Sequence, residues 1–341
     1  MLGGGGAIHS FDNIISIENL LKAWKEFKKG KMKKKDVLSF DFNLEENIFS
    51  LHRELKNKIY QNEPYIPFYV YDPKKRHIHK ACIKDRVVHQ ALYRILYHIY
   101  DKSFIHNSYS CRNNKGAHRG VKRLEEFVRK ESQNYSRNIW VLKCDISKFF
   151  DSIDHEILKN ILFNKNLDED TKWLIEKIID SFNLITKSTL SRLVSKGLPL
   201  GNVTSQLFAN IYLNEFDQFA KHKLKAKYYI RYCDDFVIVS KNKEFLESLL
   251  PQISGFLLNE LKLSFHPKKV EIRKLSQGID FLGYVILPYY KILRISTQKR
   301  IFRKIQKNNS NEIIQSYLGI LSHCRGYKVS KLLKTCAGES M

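Results

Sequence analysis

The sequence is poor in cross-links, chain breakers and acids. It has 6 Cys, 7 Pro and 3 Met in 341 residues. The cysteines, at 82, 111, 144, 233, 324 and 336, form no Cys-x-x-Cys pair and no Cys/His comb. That pattern argues against a disulfide framework and a structural zinc site, and it fits reduced thiols in a cytoplasmic protein. No apolar run approaches the roughly 20 residues a membrane helix needs. The N-terminus lacks a basic segment followed by an apolar core, so neither membrane insertion nor secretion is expected. No repeat of fixed period is visible. Acids are the scarcest class relative to their partners: 35 Asp+Glu stand against 59 Lys+Arg, a formal net charge of +24.

What is present points to a folded, basic protein. The chain is 43% hydrophobic and 12% aromatic, enough for a real core and against disorder. Its length fits two to three compact units. A charge this positive on an aromatic-rich globular chain indicates a polyanionic partner, nucleic acid first. Charge alone leaves a ribosomal protein, nuclease, polymerase or architectural binder open.

Along the chain, residues 1–10 begin with a four-glycine run and read as a flexible tail. Leu20, Leu21, Trp24 and Phe27 recur at helical spacing within 17–27, ahead of the Lys28–Lys35 basic run. That run is either a phosphate-contacting patch or a solvated face. A helix is predicted over 44–60, a strand over Tyr65–Tyr71 and a turn at Asp72-Pro73-Lys74-Lys75. Further helices are expected at 86–100, 155–163, 170–182, 205–225 and 244–261. Strands are expected at 139–144, 227–232, 236–240 and 281–287. This order suggests an α+β fold with a small antiparallel sheet. Residues 268–334 carry 15 Lys+Arg against Glu271, Asp280 and Glu312, and read as a basic helical module.

Three segments carry chemistry. Tyr232-Cys233-Asp234-Asp235 sits between two β-rich runs. Adjacent carboxylates at a hairpin tip repel each other, where an ordinary hairpin uses Asn-Gly or Asp-Gly. A divalent cation resolves that repulsion, and an all-oxygen set with open positions suits Mg²⁺. Asp145, at the end of the 139–144 strand, offers a third carboxylate, and three can hold two Mg²⁺ ions for phosphoryl transfer. The third segment is Lys196-Gly-Leu-Pro-Leu-Gly-Asn-Val-Thr-Ser205-Gln206, whose glycines allow a tight loop and close approach of a nucleotide. After it, Phe208, Tyr212, Phe216 and Phe219 form an apolar stripe that reads as core.

Taken in order, these segments resemble the motifs of reverse transcriptases. Asp145 with Phe150, the Gly-Leu-Pro-Leu-Gly loop, Tyr-Cys-Asp-Asp and Phe281-Leu-Gly-Tyr284 match. So do the upstream stretches Arg76–Leu92 and Ser108–Gly116. Residues 70 to 330 are similar to the bacterial enzymes related to group II intron and retron proteins. Leu200 before Gly201, with Ser205-Gln206 where most relatives have Ser-Pro, resembles the enzymes of diversity-generating retroelements. Those copy a template RNA with errors at adenines and work with a small basic accessory protein.

The resemblance implies a right-hand polymerase: a tail at 1–10, an N-terminal helical extension at 11–65, fingers at 66–138, a palm at 139–285 with an insertion near 160–195, and a basic helical thumb at 286–341. It leaves no room for an endonuclease or RNase H domain. It also implies site roles. Asp145, Asp234 and Asp235, with the Ile146 carbonyl, hold two Mg²⁺ ions. Lys269 acts as general acid, with Lys268 as its rival. Arg76 clamps the dNTP triphosphate. Phe150, with Phe149 as its rival, excludes a ribose 2′-OH. Leu200 and Gly201 face the nucleotide. Arg86 and Arg112 match family positions, Arg112 among the nucleotide-binding residues, and both equally fit structural ion pairs. His77, His79, His89 and His98 have no metal-ligand spacing and read as structural.

The partners implied are template RNA and an RNA–DNA hybrid, gripped by Lys299, Arg300, Arg303, Lys304 and Lys307 at helical spacing. The location implied is the cytoplasm of a bacterium or archaeon, or a phage-encoded equivalent. Two other readings stand beside this one: a phage-defence or retron-like reverse transcriptase with its own noncoding RNA, and a non-catalytic RNA-binding scaffold or maturase. Clustered acids weigh against the scaffold, which has no use for them.

Overall fold

The computed structural model describes residues 10–72, 74–182, 195–308 and 310–336. Most of the tail expected at 1–10, part of the insertion expected at 160–195, Pro73 of the predicted turn and the last five residues lie outside these. The described elements begin with four helices, α1 Phe11–Ile15, α2 Ile17–Lys28, α3 Lys35–Phe42 and α4 Leu44–Lys56. The hairpin β1 Ile66–Val70 and β2 Arg76–Lys80 follows, then α5 Ile83–Tyr100 and α6 Ala117–Glu131. Next come β3 Trp140–Cys144, α7 Phe149–Ser152, α8 His155–Phe163, α9 Glu169–Asp180 and α10 Val203–Gln218. The chain continues through β4 Tyr228–Tyr232, β5 Asp235–Ser240 and α11 Lys243–Leu261. It ends with β6 Glu271–Lys274, β7 Ile279–Phe281, β8 Tyr284–Leu287, β9 Tyr290–Leu293, α12 Ile295–Lys307, α13 Asn311–Leu321 and α14 Tyr327–Cys336.

These elements form two compact units. One holds residues up to 105, 147–218 and 256–264. Leu20, Ala23, Trp24 and Phe27 of α2 are buried there at i, i+3, i+4 and i+7 spacing, and the Ser16 hydroxyl caps the helix by accepting from the Asn19 amide. α8 and α9 start on Asp154 and Asp168, whose carboxylates accept amide hydrogens of the first turn. Phe208, Tyr212 and Phe216 of α10 are buried, as the stripe predicts. Lys28 of the basic run is tied back to Asp41 at 2.8 Å, whereas Lys29 and Lys33 to Lys35 stay exposed.

The other unit holds residues 106–146, 219–255 and 265 onward. Its main sheet is antiparallel in the order β4-β5-β3-β6. β5 is buried from Phe236 to Ser240, which its near-continuous apolar run dictates. A second sheet, β7-β8-β9, is also antiparallel. One apolar core joins Val141, Val237 and Val239 of the first sheet, Phe281 and Ile286 of the second, and Ile301, Ile305, Ile314, Leu321 and Leu333 of the C-terminal helices.

Three expectations need correction. The strand predicted over 281–287 is two strands around a two-residue turn at Leu282-Gly283, both at positive φ (50° and 90°). Leucine at a position that favours Asn or Gly hid the turn, and Leu282 is held there by packing into the core beside Gly120. The 268–334 region does not begin as helix: four strands, β6 to β9, precede α12. The helix predicted over 205–225 ends at Gln218 and gives way to a π-helical turn, Phe219–Lys223.

Candidate active site

The acids meet at one end of the β4-β5-β3-β6 sheet. β3 pairs with β5 from Trp140↔Ser240 to Cys144↔Phe236, so Asp145 follows the strand end beside the β4–β5 turn. Tyr232 pairs with Asp235, which leaves Cys233 and Asp234 as the two turn residues. Cys233 sits at φ +55°, a left-handed position that costs a non-glycine residue energy and recurs at functional turns. The Asp235 carboxyl lies close enough to Asp234 and Asp145 to feel both of their charges. Burial, then the Asp234 and Asp145 charges, push Asp235 up to about 7. Asp234 is raised too, first by burial, with Asp145 adding to it.

Lys269 supplies the cluster with a positive charge: its ammonium donates to Asp145 Oδ2 at 2.6 Å. Lys268, its rival, is exposed. The Asp145 carbonyl accepts from the His266 amide at 2.8 Å, and buried Ile146 bridges to Phe265. These bonds fasten the strand end to the segment that carries Lys269.

Among the described residues, no three His, Cys, Asp or Glu side chains close into a ready-made metal cage. Mg²⁺ does not need one, because it keeps waters and substrate phosphates and takes only one or two carboxylates. Three oxygen-donor acids that repel one another at a sheet edge fit such a cation, with Asp145, Asp234 and Asp235 as the residues to hold it. A bound divalent cation would neutralise charge on transferring phosphates.

One neighbour of this cluster is not anticipated from the sequence. Arg231 is wholly buried, and its Nη1 donates to the Cys233 carbonyl at 3.0 Å, inside the turn that carries Asp234. Its backbone is tied on the other side: its amide donates to Asn107 O and its carbonyl accepts from Tyr109 N, both at 3.0 Å. Arg112 belongs to this buttress, donating from Nη1 to Ser108 O at 3.2 Å, while Ser108 bridges Arg231. The sequence signal for Arg231 is one charge inside the apolar run Tyr-Tyr-Ile-Arg-Tyr.

The remaining predicted residues lie in the other unit, around β2, α7 and the 198–201 loop. Phe149 is buried, whereas Phe150 is half-buried and its carbonyl accepts from the Leu198 amide at 2.8 Å. The ring left accessible is therefore Phe150. The Leu200 carbonyl accepts from the His79 amide at 3.3 Å, fixing the loop to β2. Gly201 has φ +118°, which favours glycine, and a Cβ there would lie a tight 3.2 Å from Ile78 Cγ2. Arg76 opens β2 opposite Val70 and is exposed. Arg86 is half-buried with its guanidinium 5.7 Å from the Phe27 ring centre. The histidines are dispersed in packing roles: His77 stacks on Tyr69, His79 meets Phe182 edge-on, and buried His89 bonds Thr204 Oγ1 at 2.5 Å.

Comparison with known proteins agrees with this geometry. The reverse transcriptase (RNA-dependent DNA polymerase) family matches residues 72–286. Escherichia coli protein YkfC is 26% identical over 254 residues, covering 64% of this chain and 66% of its own. The group II intron-encoded protein LtrA of Lactococcus lactis is 25% identical over 352 residues, covering 84% of this chain and 56% of its own. The chain thus spans about half to two thirds of the length of these relatives. Among solved structures, apo telomerase from Candida tropicalis shares the fold with a TM-score of 0.53 at 13% identity, covering 71% of this chain and 50% of that one. No helix among the described residues is long and apolar enough to cross a membrane. The family match spans both the β3 acid and the Tyr-Cys-Asp-Asp turn, and on that ground the chain belongs to the reverse transcriptase (RNA-dependent DNA polymerase) family.

Proposed function

We propose that this chain is an RNA-directed DNA polymerase that copies a template RNA into cDNA from dNTPs by two-Mg²⁺ nucleotidyl transfer. The observation that carries this reading is the Asp145–Asp234–Asp235 cluster, charge-balanced by Lys269, within a reverse transcriptase domain. In this reading the acids position the ions, and Lys269 holds Asp145 and serves as a proton donor to the leaving pyrophosphate. Arg76 engages the triphosphate through bidentate contacts. The fingers, palm and thumb division follows the same reading, with α12 as the basic thumb helix along the hybrid.

Phe150 serves as the block against a ribose 2′-OH, supported by its accessibility beside buried Phe149. Phe150→Val removes four side-chain carbons and is expected to raise ribonucleotide incorporation relative to dNTP by at least about tenfold, since a single methylene in an apolar pocket is worth about 10- to 200-fold. Primer extension with each rNTP measures it, and unchanged discrimination assigns Phe150 to packing instead.

The finer reading is a mutagenic enzyme of the diversity-generating retroelement type with a small basic accessory partner. It rests on Leu200 and Gln206, since an aliphatic side chain at 200 offers no polar contact to the incoming nucleotide. Sequencing the RNA that copurifies with the protein, together with the cDNA made from it, tests both levels. Errors concentrated at template adenines that fall in Leu200→Gln are the expected result. Accurate cDNA from a dedicated structured RNA would favour the retron-like or defence reading.

A further inference from the structure

Helix α6 carries an unneutralised basic ridge between two clefts, all within the unit that holds the acid cluster. One cleft, of about 290 Å³, is lined by His118, Arg119, Lys122, Tyr284, Lys291 and His323. The other, of about 350 Å³, shares Arg119 and Lys122 and adds Lys115 and Arg123. The acids nearby are already engaged: Glu125 bonds Lys291 at 2.5 Å and Glu126 bonds Arg123 at 2.7 Å. Arg119 is tied only to the Asn114 carbonyl, and Lys122 has no acidic partner among the described residues. Like charges three residues apart on one helix face repel, so Arg119 and Lys122 destabilise α6 unless an anion lies between or beside them.

The first cleft is built around two histidines. The rings of His118 and His323 stack at 4.0 Å with 28° between planes. The Tyr284 hydroxyl donates to the Ile320 carbonyl at 3.2 Å and also meets His118 Nδ1 at 3.2 Å. A phenol has one proton, so Nδ1 of His118 carries its own and donates to the tyrosine oxygen. That fixes the tautomer, while burial, with His323 and Lys291 beside it, holds the His118 pKa below its ordinary value and favours the neutral ring. What suits this cleft to an oxyanion is its cationic lining, Arg119, Lys122 and Lys291, beside the stacked imidazole pair.

We infer that the cleft formed by His118, Arg119, Lys122, Lys291 and His323 binds a phosphate group, and that its ligand is a backbone phosphate of the nucleic acid this enzyme handles. The inference deepens the polymerase reading and rests on it for the identity of the strand. Tyr284 lies on β8, immediately after the Leu282-Gly283 turn, so the cleft backs the hairpin of the Phe-Leu-Gly-Tyr motif. A phosphate there would fasten one strand to that hairpin at a point the acids do not touch.

The test uses the full chain with a fluorescent RNA–DNA hybrid and measures binding without nucleotides. Arg119→Gln/Lys122→Gln is compared with Lys56→Gln/Lys102→Gln, which removes the same charge from exposed lysines elsewhere. The cleft variant is expected to raise Kd about tenfold near 0.1 M salt. Its plot of log Kd against log salt should be shallower by about one for each phosphate it no longer neutralises. Equal weakening in both variants, or none in the cleft variant, overturns the proposal. Because no synthesis is read, that failure leaves the polymerase reading standing. Ring ¹⁵N spectra of His118 and His323 distinguish the sources of the phosphate. Shifts with hybrid but not with inorganic phosphate assign a strand phosphate. Shifts with millimolar inorganic phosphate but not with hybrid overturn the strand assignment, and shifts with neither overturn the site.

Discussion

Asp234→Ala is expected to abolish DNA synthesis while leaving the protein folded. The carboxylate sits in a two-residue turn beside Asp145 and Asp235, and in the proposed two-Mg²⁺ reading all three side chains offer oxygens to the cations. Loss of one ligand removes electrostatic stabilisation of roughly 4 kcal/mol or more from the transition state, on the order of 10³-fold in rate. The effect on folding has the opposite tendency. Burial and Asp145 raise the Asp234 pKa above its ordinary value, so its ionised form costs the folded state free energy at neutral pH. That cost is absent in acid below the unfolded pKa and develops as pH rises above it. Alanine removes the cost, so the thermal midpoint at pH 7 should hold or rise. Primer extension on an RNA template, read beside thermal unfolding, checks both. Synthesis retained by a well-folded Asp234→Ala protein would overturn the assignment of the acids.

Much of this site was legible because function left local marks. Asp234-Asp235 at a hairpin tip and Asp145 at a strand end are unfavourable unless a cation offsets them, and that can be read from residue types alone. The strands around them were legible because β5 is a continuous buried run. What escaped was held by long-range packing. Leu282 occupies a turn position that its own side chain disfavours, and only the core beneath it makes the turn visible. What separates Phe149 from Phe150, and Lys268 from Lys269, in the structure is burial and a 2.6 Å bond, neither of which spacing reveals. Arg231 was hidden for the same reason. A lone arginine in a strand reads as an edge residue until its complete burial and its carbonyl partner are known.

Arg231 offers the second large effect. A guanidinium with no solvent exposure is costly, and here it is committed to the carbonyl of Cys233, within a turn already at positive φ. The same residue anchors the 107–109 segment through both backbone groups, so the turn is braced from beneath and from the side. Arg231→Met keeps much of the volume but leaves the Cys233 carbonyl unpaired, a loss of about 1–3 kcal/mol in stability. Because the turn carries Asp234, a displacement of about 1 Å is enough to lower synthesis by on the order of 10²-fold. Arg231→Lys retains the charge but not the planar fork, and should recover stability more fully than activity. The readout that separates positioning from simple destabilisation is the Mg²⁺ requirement. In a variant folded at the assay temperature, a misplaced Asp234 raises the Mg²⁺ concentration for half-maximal synthesis and weakens Mn²⁺ binding measured by titration calorimetry. A variant that only unfolds more easily lowers the active fraction and leaves both values unchanged. That outcome would reduce Arg231 to a packing residue.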